Sequence, residues 1–223
     1  MRKKVSFLLK ILIAICSLGG VVLSLIYAER DGFFHWTRRI MYFTAQSNVW
    51  LGLTVVSILL FPLFKLDDKW KRRLYILRYA FTVSISMTGL VFCFLLAPFA
   101  DESYHVWSSF NVMTHVLSPI LAVVDYFVDL DRVEISKNQV FLAVIPPIVY
   151  FSLVSVLYFL NFDFGRGEPY PYFFINYGSP AGVFGFSDQM PFIIGSFYWF
   201  VLFTLVVVGL GFFYGRFKVK KRS

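Results

Sequence analysis

The sequence predicts an all-α integral membrane protein of six transmembrane helices with both termini cytoplasmic, and three observations carry that reading. Of 223 residues, 58% are hydrophobic and only 15% charged, well below the roughly 25% charged residues of soluble domains. Six apolar runs are long enough for a bilayer core of roughly 30 Å. The basic residues alternate from side to side along the chain.

The six runs cover about residues 5–28, 37–64, 75–97, 107–128, 139–161 and 191–215. The first follows "MRKK" but is too long for a signal-peptide core and shows no small-residue cleavage site before Glu29, so a retained span is expected. Pro62, Pro119 and the Pro146-Pro147 pair should kink or loosen the second, fourth and fifth runs. No repeat or linker divides the chain, so residues 1–223 read as one domain.

Lys and Arg concentrate at the N-terminus, in the second and fourth loops and in the tail "RFKVKKRS", which places those segments in the cytoplasm. The net charge of +8 is thereby accounted for as a topology signal that meets anionic headgroups, and no nucleic-acid partner is expected. Cys16 and Cys93 lie within apolar runs as isolated thiols. Neither a disulfide framework nor a metal site is indicated, and no cofactor is expected. The connection at 162–190 is rich in Gly, Pro, Tyr and Phe, which fits either a segment folded back over the bundle mouth or an ordinary interfacial loop.

Polar side chains inside the spans are the exceptions that need a reason. "YFTAQSN" (42–48) places Thr44, Ser47 and Asn48 on one helical face and Gln46 nearly opposite. In the fourth run, Ser108, Asn111, His115, Ser118, Ala122 and Asp125 form a polar or small stripe, which should face the bundle interior. Thr44 follows Trp36 by eight residues, and His115 follows Trp107 by eight. If both tryptophans anchor at the outer interface, both side chains sit roughly 12 Å below it.

His115 is the one histidine within a run, and an intramembrane histidine marks a functional site by default. A base at hydrogen-bond distance would activate the Thr44 hydroxyl, while Ser47, Asn48, Asn111 and Ser118 could bind an oxyanion or substrate. The alternatives are an imidazole that merely cross-links helices and a threonine bonded to the carbonyl four residues back. Arg38 and Arg39, just outside the second run, suit either a substrate carboxylate or headgroup anchoring. Arg78 and Asp125 lie at comparable depth near the cytoplasmic side and should form a structural ion pair.

"YFTAQSN" together with "HVLSPILAVVDYF" resembles the androgen-induced and androgen-dependent TFPI-regulating protein family of intramembrane threonine hydrolases. "PYPYFF" (169–174) brings the chain nearer to that family's six-span prokaryotic relatives. The resemblance implies a lipid esterase cleaving fatty acid esters of hydroxy fatty acids, with Thr44 as nucleophile and His115 as base. It further implies membrane lipids and a lipid ester or fatty acid as partners, and a bacterial inner membrane as location. The departure "VLSP" after His115 follows the prokaryotic pattern. A non-enzymatic lipid-binding, transport or sensing protein with a polar cavity is the competing function, and a purely structural polar seam the third.

Overall fold

The computed structural model describes residues 1–30, 35–64, 67–100, 105–165 and 167–217; most of the basic tail lies outside the described residues. Among the described residues six helices are long and apolar enough to cross a membrane. They are α1 (Arg2–Ile26), α2 (Phe43–Leu63), α3 (Asp68–Phe99), α4 (Ser109–Val128), α5 (Lys137–Phe159) and α6 (Ser196–Gly215). Among the described residues the remaining regular structure is short helical turns and one isolated bridge between Phe186 and Ile194.

Helix ends follow capping chemistry more closely than hydropathy. α3 begins at Asp68, seven residues before its apolar run, because Asp67 caps it by accepting from the Trp70 N–H at 3.0 Å. α5 starts with a capping box between Ser136 and Gln139. Pro146 and Pro147 stand at the first positions of its regular α-helical part, after a 3-10 turn at Phe141–Val144, so their missing N–H groups are not needed by the helix.

The second apolar run is not one helix. A short helix, Trp36–Ile40, ends at Met41, Tyr42 adopts an extended backbone, and α2 starts afresh at Phe43. Three helices also carry a wide π-type turn, at Ile15–Gly19 in α1, Phe92–Leu96 in α3 and Val112–Leu117 in α4. Such turns bend a helix and reorient its side chains, often beside functional sites.

Helices α1 to α4 close around Ile13, Leu51, Val55, Ile85 and Ala122. Small residues let their backbones approach: a Cβ on Gly20 would lie 2.7 Å from the Thr114 methyl, and one on Gly52 would lie 2.6 Å from Ser17 Oγ. A second core, built on Tyr79, Tyr126, Val207 and Tyr214, joins α3, α4 and α6 in the half nearer the termini.

The segment 162–190 folds back over the bundle. Phe164, Phe174 and Ile175 are buried together with Tyr150 and Trp199 of α5 and α6. Aromatic burial settles the choice between covering segment and interfacial loop in favour of the cover.

The expected Arg78–Asp125 pair is present at 2.6 Å, but it belongs to a larger network. Lys10 of α1 bridges Asp125 at 3.2 Å and Asp129 at 2.7 Å, Arg78 also binds Asp129, and Ser6 donates to Asp125. All five side chains are buried. Lys10, one of the basic residues near the N-terminus, is thus an internal cation.

Candidate functional site

Thr44 owes its position to the break at Met41 and Tyr42. It occupies the first turn of α2, where backbone N–H groups have no partner within the helix. The short helix ends four residues back, at Ile40. Its hydroxyl therefore turns across the bundle to His115 on α4, with Oγ1 at 3.0 Å from Nε2.

His115 is oriented from behind. Its Nδ1 lies 3.1 Å from the Asn111 carbonyl, which can only accept, so Nδ1 carries the proton. Thr114 Oγ1, itself donating to the Phe110 carbonyl, stands 3.1 Å from the same nitrogen. Nε2 is left as an acceptor, and the Thr44 hydroxyl donates to it. The Phe92 ring stacks on the imidazole with centroids 4.0 Å apart and holds its plane. Phe92 opens the wide turn of α3, and His115 sits within that of α4.

Tyr172 completes the group from the covering segment. Its hydroxyl accepts from the Thr44 N–H at 3.4 Å and lies 3.5 Å from Thr44 Oγ1. "PYPYFF" contains this residue, yet nothing in its spacing shows which tyrosine turns inward; Tyr172 is fixed by stacking on Phe174 at 5.0 Å and edge-on contact with Tyr42.

Thr44 lies on the wall of two cavities. The larger, about 380 Å³, is also lined by His115, Asn111, Arg39, Glu168 and Tyr170. The smaller, about 80 Å³, runs between α5, α6 and the covering segment and is almost wholly apolar. Arg39 is buried, with its guanidinium 4.6 Å from the Phe110 ring centroid, whereas Arg38 stacks over Phe162 of the covering segment. The two arginines, equivalent by sequence, are separated by one helical step into a cavity residue and a cover contact.

The other expected binding residues divide. Asn111 lines the large cavity, and its amide donates to the His105 carbonyl at 3.0 Å. Ser47 and Asn48 line neither cavity. Ser47 binds Thr88 at 2.9 Å, and Asn48 donates to the carbonyls of Thr44 at 2.8 Å and Thr114 at 3.1 Å, bracing α2 against α4. Ser118, one turn beyond His115, is fully buried and also lines neither cavity. Ser47 and Asn48 thus bond to neighbouring backbone and side chains, whereas the Ser118 hydroxyl is buried without a hydrogen-bond partner among the described residues. Among the described residues no group of three His, Cys, Asp or Glu could hold a metal ion.

Comparison with protein-family models, with curated proteins and with solved structures returns no match. The fold and site define an apolar six-helix bundle with a threonine–histidine pair on the wall of the larger cavity, Thr44 bordering the smaller one as well.

Proposed function

We propose that this chain is an integral membrane hydrolase of a lipid ester, of the fatty acid ester of hydroxy fatty acid kind, with Thr44 as nucleophile and His115 as general base. The observation that carries the reading is the hydrogen bond from the Thr44 hydroxyl to His115 Nε2 on the wall of a cavity large enough for a ligand. The resemblance of both motifs to intramembrane threonine hydrolases supports it. The charge pattern adds cytoplasmic termini, so the cavity opens toward the outer leaflet. A bacterial inner membrane follows from the prokaryotic character of the motifs.

In this mechanism Thr44 Oγ1 attacks the ester carbonyl as its proton passes to His115 Nε2, forming a tetrahedral oxyanion. The first-turn N–H groups of α2, at the positive end of an 18-residue α-helical stretch, favour that negative charge. Collapse breaks the carbon–oxygen bond, and the leaving alkoxide takes the proton from the imidazolium. Water then repeats the sequence on the acyl-threonine, releasing a carboxylic acid and restoring the hydroxyl. Arg39 and Asn111 on the wall of the large cavity suit a substrate with a polar or anionic end.

A fluorophosphonate probe tests the assignment, since attack by Thr44 displaces fluoride and leaves a phosphonyl adduct. The adduct should map to the peptide bearing Thr44, and Thr44→Ala should lose it. Undiminished labelling of Thr44→Ala disproves the nucleophile.

A further inference from the structure

The small chamber contains a polar group that no helix uses. Five polar side chains contribute to its wall: Thr44, Thr88, Tyr150, Tyr172 and Thr204. Thr88 donates to the Ser84 carbonyl at 3.2 Å, Thr204 to the Phe200 carbonyl at 2.8 Å, and Thr44 and Tyr172 are engaged as described. Tyr150 of α5 is 5% exposed, yet its hydroxyl lacks a hydrogen-bond partner among the described residues. The Phe43 backbone and Tyr172 are close enough to act on Tyr150 electrostatically, but neither meets the distance and angle of a hydrogen bond to its hydroxyl.

A buried hydroxyl without a partner forfeits its hydration with nothing in return, and native interiors seldom leave one unless a ligand or water satisfies it. The rest of this wall is made by Pro147, Ile148, Phe151, Phe200, Phe203 and similar side chains. It offers no cation, so an ionised carboxylate would enter uncompensated. What fits is an apolar chain carrying one neutral hydrogen-bond acceptor.

We infer that this chamber is an acyl subsite, in which the Tyr150 hydroxyl donates to the carbonyl of a neutral lipid acyl ester while the first carbons of its chain lie between α5 and α6. The large cavity, with Arg39, then receives the alcohol portion, and Thr44 stands on the wall common to both. Tyr150 is a ligand-binding residue in this arrangement, distinct from the threonine–histidine pair. The choice of an ester as ligand rests on the function proposed above; the binding itself does not require turnover.

The test uses the full-length protein carrying Thr44→Ala, so that nothing is hydrolysed, and two photoreactive probes, a diazirine-bearing palmitate methyl ester and the matching diazirine-bearing alkane, which has no hydrogen-bond acceptor. The ester should crosslink to residues of α5 and α6 such as Phe151 and Phe203. Adding Tyr150→Phe should weaken ester binding roughly threefold to tenfold, the worth of one neutral hydrogen bond, and leave alkane binding unchanged. Val207→Phe, which fills the chamber, should abolish crosslinking of both probes there. Equal ester binding with and without Tyr150→Phe, or ester crosslinks confined to other helices, overturns the subsite. Absence of turnover in the unmodified protein, with carbonyl discrimination retained, sinks only the hydrolase reading.

Discussion

The two ends of this bundle bury polar groups in opposite ways. Near the termini, Lys10, Arg78, Asp125 and Asp129 saturate one another: two cations and two anions, with Ser6 supplying a further hydrogen bond. At the other end, Thr44, His115 and Tyr172 are held by their neighbours but stand beside open cavities, and Tyr150 holds a hydroxyl in reserve. The lesson is that polarity inside an apolar bundle does not by itself mark a site. A closed network ties helices together, whereas polar groups beside unfilled space have somewhere to put a ligand.

The largest effect that sharpens this contrast falls on chemistry alone. His115→Ala should reduce ester turnover, or fluorophosphonate labelling, by roughly 10²–10⁴-fold while the thermal transition in detergent stays near that of the parent. A large stability loss with unchanged turnover would place His115 with the structural groups. The next affects folding alone. Arg78→Ala strands two buried carboxylates with Lys10 as their sole cation in the network and should cost about 3–5 kcal/mol, read as a lowered thermal transition.

Between the two ends lies the close contact of α1 with α4. Gly20→Leu would force its side chain against Thr114 and Met113, at a cost of about 1–3 kcal/mol. Because Thr114 contacts His115 Nδ1, turnover should fall together with stability in a melting and activity assay of the same preparation.

The smallest effect is a pH dependence. Burial alone would raise the Asp129 carboxyl, but the charges of Arg78 and Lys10 outweigh it and hold the group below its usual value. A depressed folded-state value means that Asp129 contributes stability above the ordinary carboxylate range and loses it as pH falls through the folded value. Asp129→Asn should flatten that acid-side decline in a thermal-shift series. An unaltered profile would show that Asp129 does not set it.

Much of the architecture was legible because hydrocarbon permits few solutions: long apolar runs must be helices, and charged residues flank them. Even the Thr44–His115 encounter could be read from equal offsets to two tryptophans, although both offsets assumed straight helices. In fact α2 restarts at Phe43, and α4 begins at Ser109, beyond Trp107. The two tryptophans therefore precede the helices that carry Thr44 and His115, and what joins the pair is the hydrogen bond between them. Lys10 entered the reading only as one of the basic residues near the N-terminus, and Asp129 was passed over although it lies one turn beyond Asp125 on the same face.

What the sequence determined by itself is therefore the set of helices, their apolar character and the presence of a hydroxyl and an imidazole at like depth, since hydropathy and periodicity act locally along the chain. Which polar groups face space and which face protein was decided by tertiary structure alone. The wide turns of α1, α3 and α4, the restart at Phe43 and the folded cover rotate individual side chains by fractions of a turn. That rotation separates Asn111 from Ser118, Arg39 from Arg38 and Tyr172 from its aromatic neighbours, and no one-dimensional pattern encodes it.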